Sequence, residues 1–268
     1  MSRRPLHFHR VSPSDTPRYW LWALHGAFGT GRNWMHILRR VVKQRDGWGA
    51  LAPDLREHGR SVGHRPPPHT LATAAEDLAI LDAPTVVMGH SFGGKLALQY
   101  AASAPVTLRQ VWVIDSTPQV MDPETGDAWA MIKLLRQLPR VFASRQEAID
   151  AMQRRGLESP VAHWMAMNVE RHDSTYRWRF EIEGLESLAR EFYEADMWSV
   201  VEQLAQRMTI HFAIASEAEM MTASARERLE SIARDTGRIH LHDVRGGHWL
   251  NVDNPEAIVN LLTGHLPA

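Results

Sequence analysis

Residues 85–103 read TVVMGHSFGGKLALQYAAS, and this stretch decides the fold. Its first part, TVVMG, is a short apolar run typical of a buried strand, and residues 93–103 predict a helix. Between them lies G-H-S-F-G, the G-x-S-x-G pattern of a sharp strand-to-helix turn that holds a serine hydroxyl exposed above a sheet. Because the pattern stands between a strand and a helix, Ser91 is the candidate nucleophile.

Strands and helices alternate on both sides of this turn. The predicted strands are residues 19–24, 48–53, 85–89, 110–115, 209–215 and 238–244. The predicted helices are residues 33–43, 70–81 with Thr70 as N-cap, 93–103, 222–235 and 255–263. Such alternation predicts an α/β fold, with a mostly parallel central sheet flanked by helices.

The alternation stops between the fourth and fifth of these strands. Residues 119–205 are helical by pattern and hold four tryptophans, which could line a pocket or simply pack against the sheet. We therefore expect a core domain formed by residues 1–118 and 206–268, with a helical cap inserted at 119–205.

The candidate general base lies near the C-terminus. A serine hydroxyl is a weak nucleophile until a neighbouring base takes its proton. His248 stands in the glycine-rich stretch RGGHWL, residues 245–250, directly after the last predicted strand. A loop of this kind can bring an imidazole to the serine, so His248 is the predicted base.

Backbone N–H groups should form the oxyanion hole. One donor is expected from Phe92, the residue after the nucleophile, and the other from Ala27 or Phe28 in the loop HGAFG, residues 25–29. His25 and His90 flank these donors and are interpreted as scaffold residues.

The motifs H-G-A-F-G, P-D-L-R-E-H-G-R-S, G-H-S-F-G-G-K and G-G-H-W stand in this order along the chain. They resemble the α/β-hydrolase superfamily, and G-H-S-F-G-G-K followed by I-D-S-T-P is similar to a group of small bacterial serine esterases. The resemblance implies an α/β-hydrolase fold with the cap after the strand that the superfamily counts as its sixth, here 110–115. One departure is Glu57, where the superfamily usually has Gly or Asn.

Two positions could supply the acid that orients the histidine. The superfamily often places it after its seventh strand, and the loop there, ASEAEMM, holds Glu217 and Glu219. The similar esterases instead keep an acid at the end of strand six, where this chain has Asp115. We favour Asp115, because a carboxylate that ends an apolar strand is costly to bury without a partner. Glu219 stays open as the alternative.

Composition excludes several other classes of protein. The chain has 30 Lys and Arg against 31 Asp and Glu, a formal charge of −1, so we expect no nucleic-acid partner. It has no cysteine, which excludes a disulfide framework and a cysteine-based metal site. No uninterrupted apolar stretch in the sequence approaches the roughly 20 residues of a membrane span. The pairs His7/His9 and His240/His242 have strand spacing, but no carboxylate pattern accompanies either pair, so we predict no metal site. The N-terminus lacks a secretory pattern, and we expect a cytoplasmic protein.

These residues predict a hydrolase that cleaves a small-molecule carboxylic ester of short to medium acyl length through an acyl-enzyme, without a cofactor. A thioesterase, a carbon–carbon hydrolase or a perhydrolase could use the same triad. A receptor of the same fold with slow turnover is the alternative from another class of protein. The oligomeric state is not predicted.

Overall fold

The computed structural model describes residues 4–13, 16–79, 81 and 83–267. Its first half alternates strands and helices, largely where the sequence pattern predicts them. The elements are β1 (Phe8–Val11), β2 (Tyr19–Leu24), α1 (Met35–Gln44), β3 (Trp48–Pro53), α2 (Leu71–Leu78), β4 (Val86–His90), α3 (Phe92–Ser103) and β5 (Gln110–Ile114). Thr70 is the N-cap of α2, and its hydroxyl accepts a hydrogen bond from the Thr73 N–H at 3.1 Å, as predicted.

The segment after β5 is mainly helical but also contains a small sheet. Its elements are α4 (Asp127–Arg136), β6 (Val141–Phe142), α5 (Arg145–Gln153), α6 (Ser159–Met165), β7 (Val169–His172), β8 (Thr175–Trp178), α7 (Ile182–Glu194) and α8 (Trp198–Ala205). The three strands form an antiparallel sheet in the order β6-β8-β7. The prediction of an entirely helical segment is wrong in this respect, because strands of 2 to 4 residues are too short to show an alternating pattern.

The chain then returns to the main sheet with β9 (Thr209–Ala215), α9 (Ala223–Thr236), β10 (Ile239–Val244), α10 (Leu250–Asp253) and α11 (Pro255–His265). The sheet has seven strands in the order β1-β3-β2-β4-β5-β9-β10. All neighbouring strands are parallel except the edge strand β1, which runs antiparallel to β3. The parallel strands therefore end at one edge, where the site residues follow them.

Helices cover the sheet on both faces, and this explains why the central strands are apolar throughout. In β4, Val87 packs on one face of the sheet, while Val86 and Met88 pack on the other with Trp112. All four side chains are at most 1% exposed. Burial of a side chain of this size contributes about 1.5–3 kcal/mol, so these positions anchor the strand that leads into Ser91.

No helix in the described part of the chain combines the length and the apolar character needed to cross a lipid bilayer.

Candidate active site

The turn that carries Ser91 is strained and tightly packed. Ser91 follows β4 directly and has a φ of 53°, in the left-handed region that non-glycine residues rarely adopt. A Cβ added to Gly89 would lie 1.8 Å from the Gly93 carbonyl oxygen, so only glycine fits there. The Ser91 N–H donates to the Ile114 carbonyl at 3.0 Å, which fixes the turn to the neighbouring strand. The sequence motif thus has the structural context that a nucleophile turn requires.

His248 and Asp115 meet at the same edge of the sheet. His248 lies in the loop between β10 and α10, and its Nδ1 is 2.6 Å from Asp115 Oδ2. Asp115 comes directly after β5 and is 2% exposed. Its other carboxylate oxygen accepts the Ala215 N–H at 3.1 Å. Both oxygens are engaged, so the carboxylate has a fixed orientation towards the imidazole.

The alternative acids lie elsewhere on the loop after β9. Glu219 is exposed, and Glu217 is an exposed residue whose carboxylate is 3.9 Å from the guanidinium of Arg245. Among the described residues, the carboxylate in hydrogen-bond contact with His248 is that of Asp115. Of the two candidates, Asp115 is therefore the one in contact with His248.

His90 supports the loop that carries His248. Its Nε2 donates to the His248 carbonyl at 2.6 Å, and the two imidazole rings lie 4.7 Å apart. Burial, and then the neighbouring His248, lowers the pKa of His90 to about 3, so its ring is neutral at pH 7. A neutral ring that donates from Nε2 must leave Nδ1 unprotonated. His90 is thus a structural support of the loop.

The loop at residues 25–29 lies close to Ser91, since a Cβ added to Gly26 would be 3.3 Å from the Ser91 Cβ. Phe28 has a φ of 59°, and its carbonyl accepts a hydrogen bond from the Asn168 side-chain amide at 3.0 Å. His25 Nε2 accepts the Leu55 N–H at 2.9 Å, which ties the loop to the segment after β3. One small pocket has Ala27, Phe28, Ser91 and Phe92 among its lining residues. The predicted donors of an oxyanion hole are therefore neighbours in space.

Asn168 has no counterpart in the sequence prediction. It is a buried residue of the segment between β5 and β9, and it orients the peptide that follows Phe28. No local pattern marks it, because its role depends on a contact between residues 140 positions apart.

Lys95 is a second residue whose role the sequence did not reveal. It lies on α3, is fully buried, and its Nζ donates to the carbonyls of Gln119, Phe192 and Ala195, each at 2.7 Å. Burial lowers the pKa of Lys95 to about 7, while three carbonyl acceptors match the three donors of an ammonium group. Lys95 thus fastens the segment between β5 and β9 to α3, the helix that follows Ser91.

Glu57, the departure from the superfamily pattern, is buried against the same segment. Its backbone has a φ of 59°, the conformation that explains why Gly or Asn is usual at this position. A Cβ added to Gly184 of α7 would lie 2.9 Å from Glu57 Cγ. Burial raises the pKa of the Glu57 carboxyl above its usual value.

A cavity of about 360 Å³ is lined by both Ser91 and His248. The segment between β5 and β9 supplies most of its apolar wall: Ala128, Ala130, Met131, Leu134, Leu157, Val161 and Trp164. Trp164 packs edge-to-face on Trp249, with ring centroids 4.3 Å apart, and so closes one side of the cavity. Trp178 instead packs between Phe142 and Phe180, away from the cavity wall. A concave apolar cavity with a few polar groups is the usual form of a small-molecule site.

Four buried histidines should lower the stability of the folded protein in acid. Burial lowers the pKa of His25 to about 4, and of His58, His90 and His211 to about 3. The unfolded chain, with histidine pKa values near 6.5, binds more protons in this range. The free energy of unfolding should therefore be highest above about pH 6.5 and fall as the pH drops towards about 4, by up to about 1.4 kcal/mol per pH unit for each histidine.

Urea unfolding at about pH 7.5 and about pH 5 measures this dependence. The variant His211→Gln removes one of the four titrating groups. His211 packs against Trp112 with ring centroids 4.0 Å apart and faces His240, His242 and His265. This variant should show a shallower loss of stability in acid. Equal free energies of unfolding at both pH values would contradict the expectation.

Comparison with known proteins identifies the family of this chain. Residues 23–261 match the Alpha/beta hydrolase family. The chain therefore belongs to that family, and the predicted fold is confirmed.

Individual relatives carry names from the same class. The chain is 31% identical over 172 residues to the sn-1-specific diacylglycerol lipase ABHD11 of Danio rerio, a match that covers 60% of this chain and 53% of that protein. The match thus spans only about half the length of that relative. This chain is also 25% identical to Esterase Rv0045c of Mycobacterium tuberculosis, in a match that covers 91% of this chain and 81% of that protein. A solved structure described as a marine microorganism esterase superposes with a TM-score of 0.82 at 23% identity, covering 98% and 99% of the two chains, and shows the same fold.

Proposed function

We propose that this protein is a serine hydrolase that cleaves carboxylic esters of short to medium acyl length. The observation that carries the proposal is the contact of 2.6 Å between His248 Nδ1 and Asp115 Oδ2, made by a histidine that lines the same cavity as Ser91. A serine on a strained turn, an imidazole and a buried acid form the arrangement that activates a hydroxyl for acyl transfer. The lipase and esterase names of the relatives support ester substrates.

The proposed reaction begins with proton transfer. Asp115 stays ionised and accepts a hydrogen bond from the Nδ1–H of His248, so that Nε2 is unprotonated and can take the proton of Ser91 Oγ. Ser91 then attacks the ester carbonyl carbon, and the N–H groups of Phe92 and of Ala27 or Phe28 stabilise the oxyanion. The positive end of helix α3 adds to this stabilisation, because the helix begins at Phe92. His248 next gives its proton to the leaving alcohol, and a water that it activates releases the acid from Ser91.

The segment at residues 119–205 acts in this proposal as a cap over a core formed by residues 1–118 and 206–268. It supplies the apolar wall of the cavity, and Lys95 holds it in place through the three carbonyls it binds. A cavity of about 360 Å³ lies near the small end of ligand sites, which supports a short or medium acyl group.

A series of p-nitrophenyl esters of increasing acyl length tests this proposal. We expect turnover within the range usual for enzymes, about 1–10³ per second, with the highest kcat/KM at short to medium chains. The rate should fall for chains too long for the cavity. Absence of hydrolysis at every acyl length would contradict the proposal and favour a receptor of the same fold.

A further inference from the structure

A second group of chemically active side chains lies at the edge of the main sheet. His7 directly precedes the edge strand β1, and His9 lies within it. The two residues are two positions apart in extended chain, so both side chains project from the same face. Antiparallel pairing of β1 with β3 brings Asp54 beside them, and the Asp54 N–H donates to the His7 carbonyl at 2.8 Å. One ligand atom from each of the three side chains lies within 4.8 Å of the other two. The sequence predicted no metal site here, because Asp54 is distant along the chain and only strand pairing reveals it.

One separation within this group already suits a small metal ion. His7 Nδ1 lies 3.5 Å from Asp54 Oδ2. Two ligand atoms bound to one tetrahedral ion at about 2.0–2.1 Å are separated by about 3.4 Å, so this pair needs little adjustment. His7 Nδ1 is buried and has no hydrogen-bond partner within the part of the chain that the structure describes. A buried nitrogen without a partner is costly, and a bound ion would satisfy it.

The donor set indicates which ions would bind. Two imidazoles and one carboxylate favour divalent transition metals such as zinc, whereas magnesium and calcium prefer oxygen ligands alone. Asp54 is already fixed in position, since its Oδ1 accepts the Gly31 N–H and its Oδ2 accepts the Arg60 N–H, each at 2.9 Å. We propose that His7, His9 and Asp54 form a site for a divalent transition-metal ion, with a water completing its coordination.

Arg60 competes with such an ion. Its Nη1 lies 3.3 Å from His7 Nε2, and a guanidinium group is always protonated, so it donates to that nitrogen. An ion at Nδ1 would require Nε2 to carry the ring proton, and the Arg60 side chain would have to turn away. Arg60 is exposed, which makes this movement inexpensive. Removing its charge should therefore strengthen metal binding.

Histidines also cluster at a second place on the sheet, and this cluster provides a control. His211 stacks on Trp112, His240 and His242, and His265 packs edge-on against His211 and His242. His211 Nδ1 lies 3.0 Å from His242 Nε2. In the described ranges, the group of three or more such residues with ligand atoms this close is that of His7, His9 and Asp54. We expect the tightest site to lie there.

Titration calorimetry of tag-free protein with zinc chloride tests the proposal. We expect one tight site in the wild type, at least tenfold weaker binding in His9→Gln, and tighter binding in Arg60→Gln. His240→Gln should bind as the wild type does. His9 is only half-buried on an edge strand, and circular dichroism checks that each variant is folded. Unchanged zinc affinity in folded His9→Gln, or loss of the tight site in His240→Gln, would overturn the proposal.

Discussion

Replacement of Asp115 by asparagine should lower kcat for p-nitrophenyl esters by a factor of about 10³–10⁴. The carboxylate accepts a hydrogen bond from the Nδ1–H of His248 at 2.6 Å and so fixes the tautomer in which Nε2 can act as the base. An asparagine side chain can present an N–H to His248 Nδ1, which places the ring proton on the wrong nitrogen. The substitution keeps the size of the side chain, and the Ala215 N–H can still donate to an amide oxygen at this position. The fold should therefore persist while activity is lost.

The variant Glu219→Gln is the matched control for this experiment. Glu219 is exposed on the loop after β9, and it was the alternative candidate for the acid. We expect its kcat to stay within about twofold of the wild type, because substitutions of exposed residues rarely disturb a distant site. A strong loss of kcat in Glu219→Gln, with near-normal rates in Asp115→Asn, would reverse the assignment.

Replacement of Ser91 by alanine should lower kcat still further, by a factor of about 10⁶. Without the hydroxyl no acyl-enzyme can form, and the remaining acceleration comes only from substrate binding and the oxyanion donors. Alanine tolerates the φ of 53° no worse than serine does, so the melting temperature should be close to that of the wild type. Steady-state rates with the preferred ester measure the effect.

Ser103→Ala provides the control at the other end of the same helix. Ser103 is the last residue of α3, and its exposed hydroxyl donates a long hydrogen bond of 3.5 Å to the Tyr100 carbonyl. Its activity should match the wild type. Residual activity above about 1% in Ser91→Ala would mean that another group is the nucleophile.

The sequence was sufficient to predict those features that depend on local pattern. The apolar runs of the strands, the glycines around Ser91 and the N-cap at Thr70 each act within a few residues, and the structure places these elements as predicted. Ser91, Asp115 and His248 each lie at or just after the end of a predicted strand. Because parallel strands end at a common edge of the sheet, the sequence could predict that these residues lie near one another. Which acid contacts His248 depends on the course of two loops, and the sequence therefore left both candidates open.

Features that depend on distant contacts could not be predicted. The small sheet β6-β8-β7 is held by pairing between short strands that carry mixed polar and apolar residues. Lys95 lies in a helical pattern, but its importance comes from three carbonyls supplied by a different part of the chain. The same is true of Asn168, whose side-chain amide donates to the Phe28 carbonyl from 140 positions away along the chain. In each case the tertiary partner, rather than the residue type, determines the role.

The most direct test of the central claim is covalent labelling with a fluorescent fluorophosphonate, which reacts with a serine only when a neighbouring base activates it. We expect rapid labelling of the wild type and of Ser103→Ala, slow labelling of Asp115→Asn, and none of Ser91→Ala. Mass spectrometry of the labelled wild type should place the adduct on the peptide that contains Ser91. Absence of labelling in the folded wild type, or labelling that persists in Ser91→Ala, would contradict the account of Ser91 as an activated nucleophile.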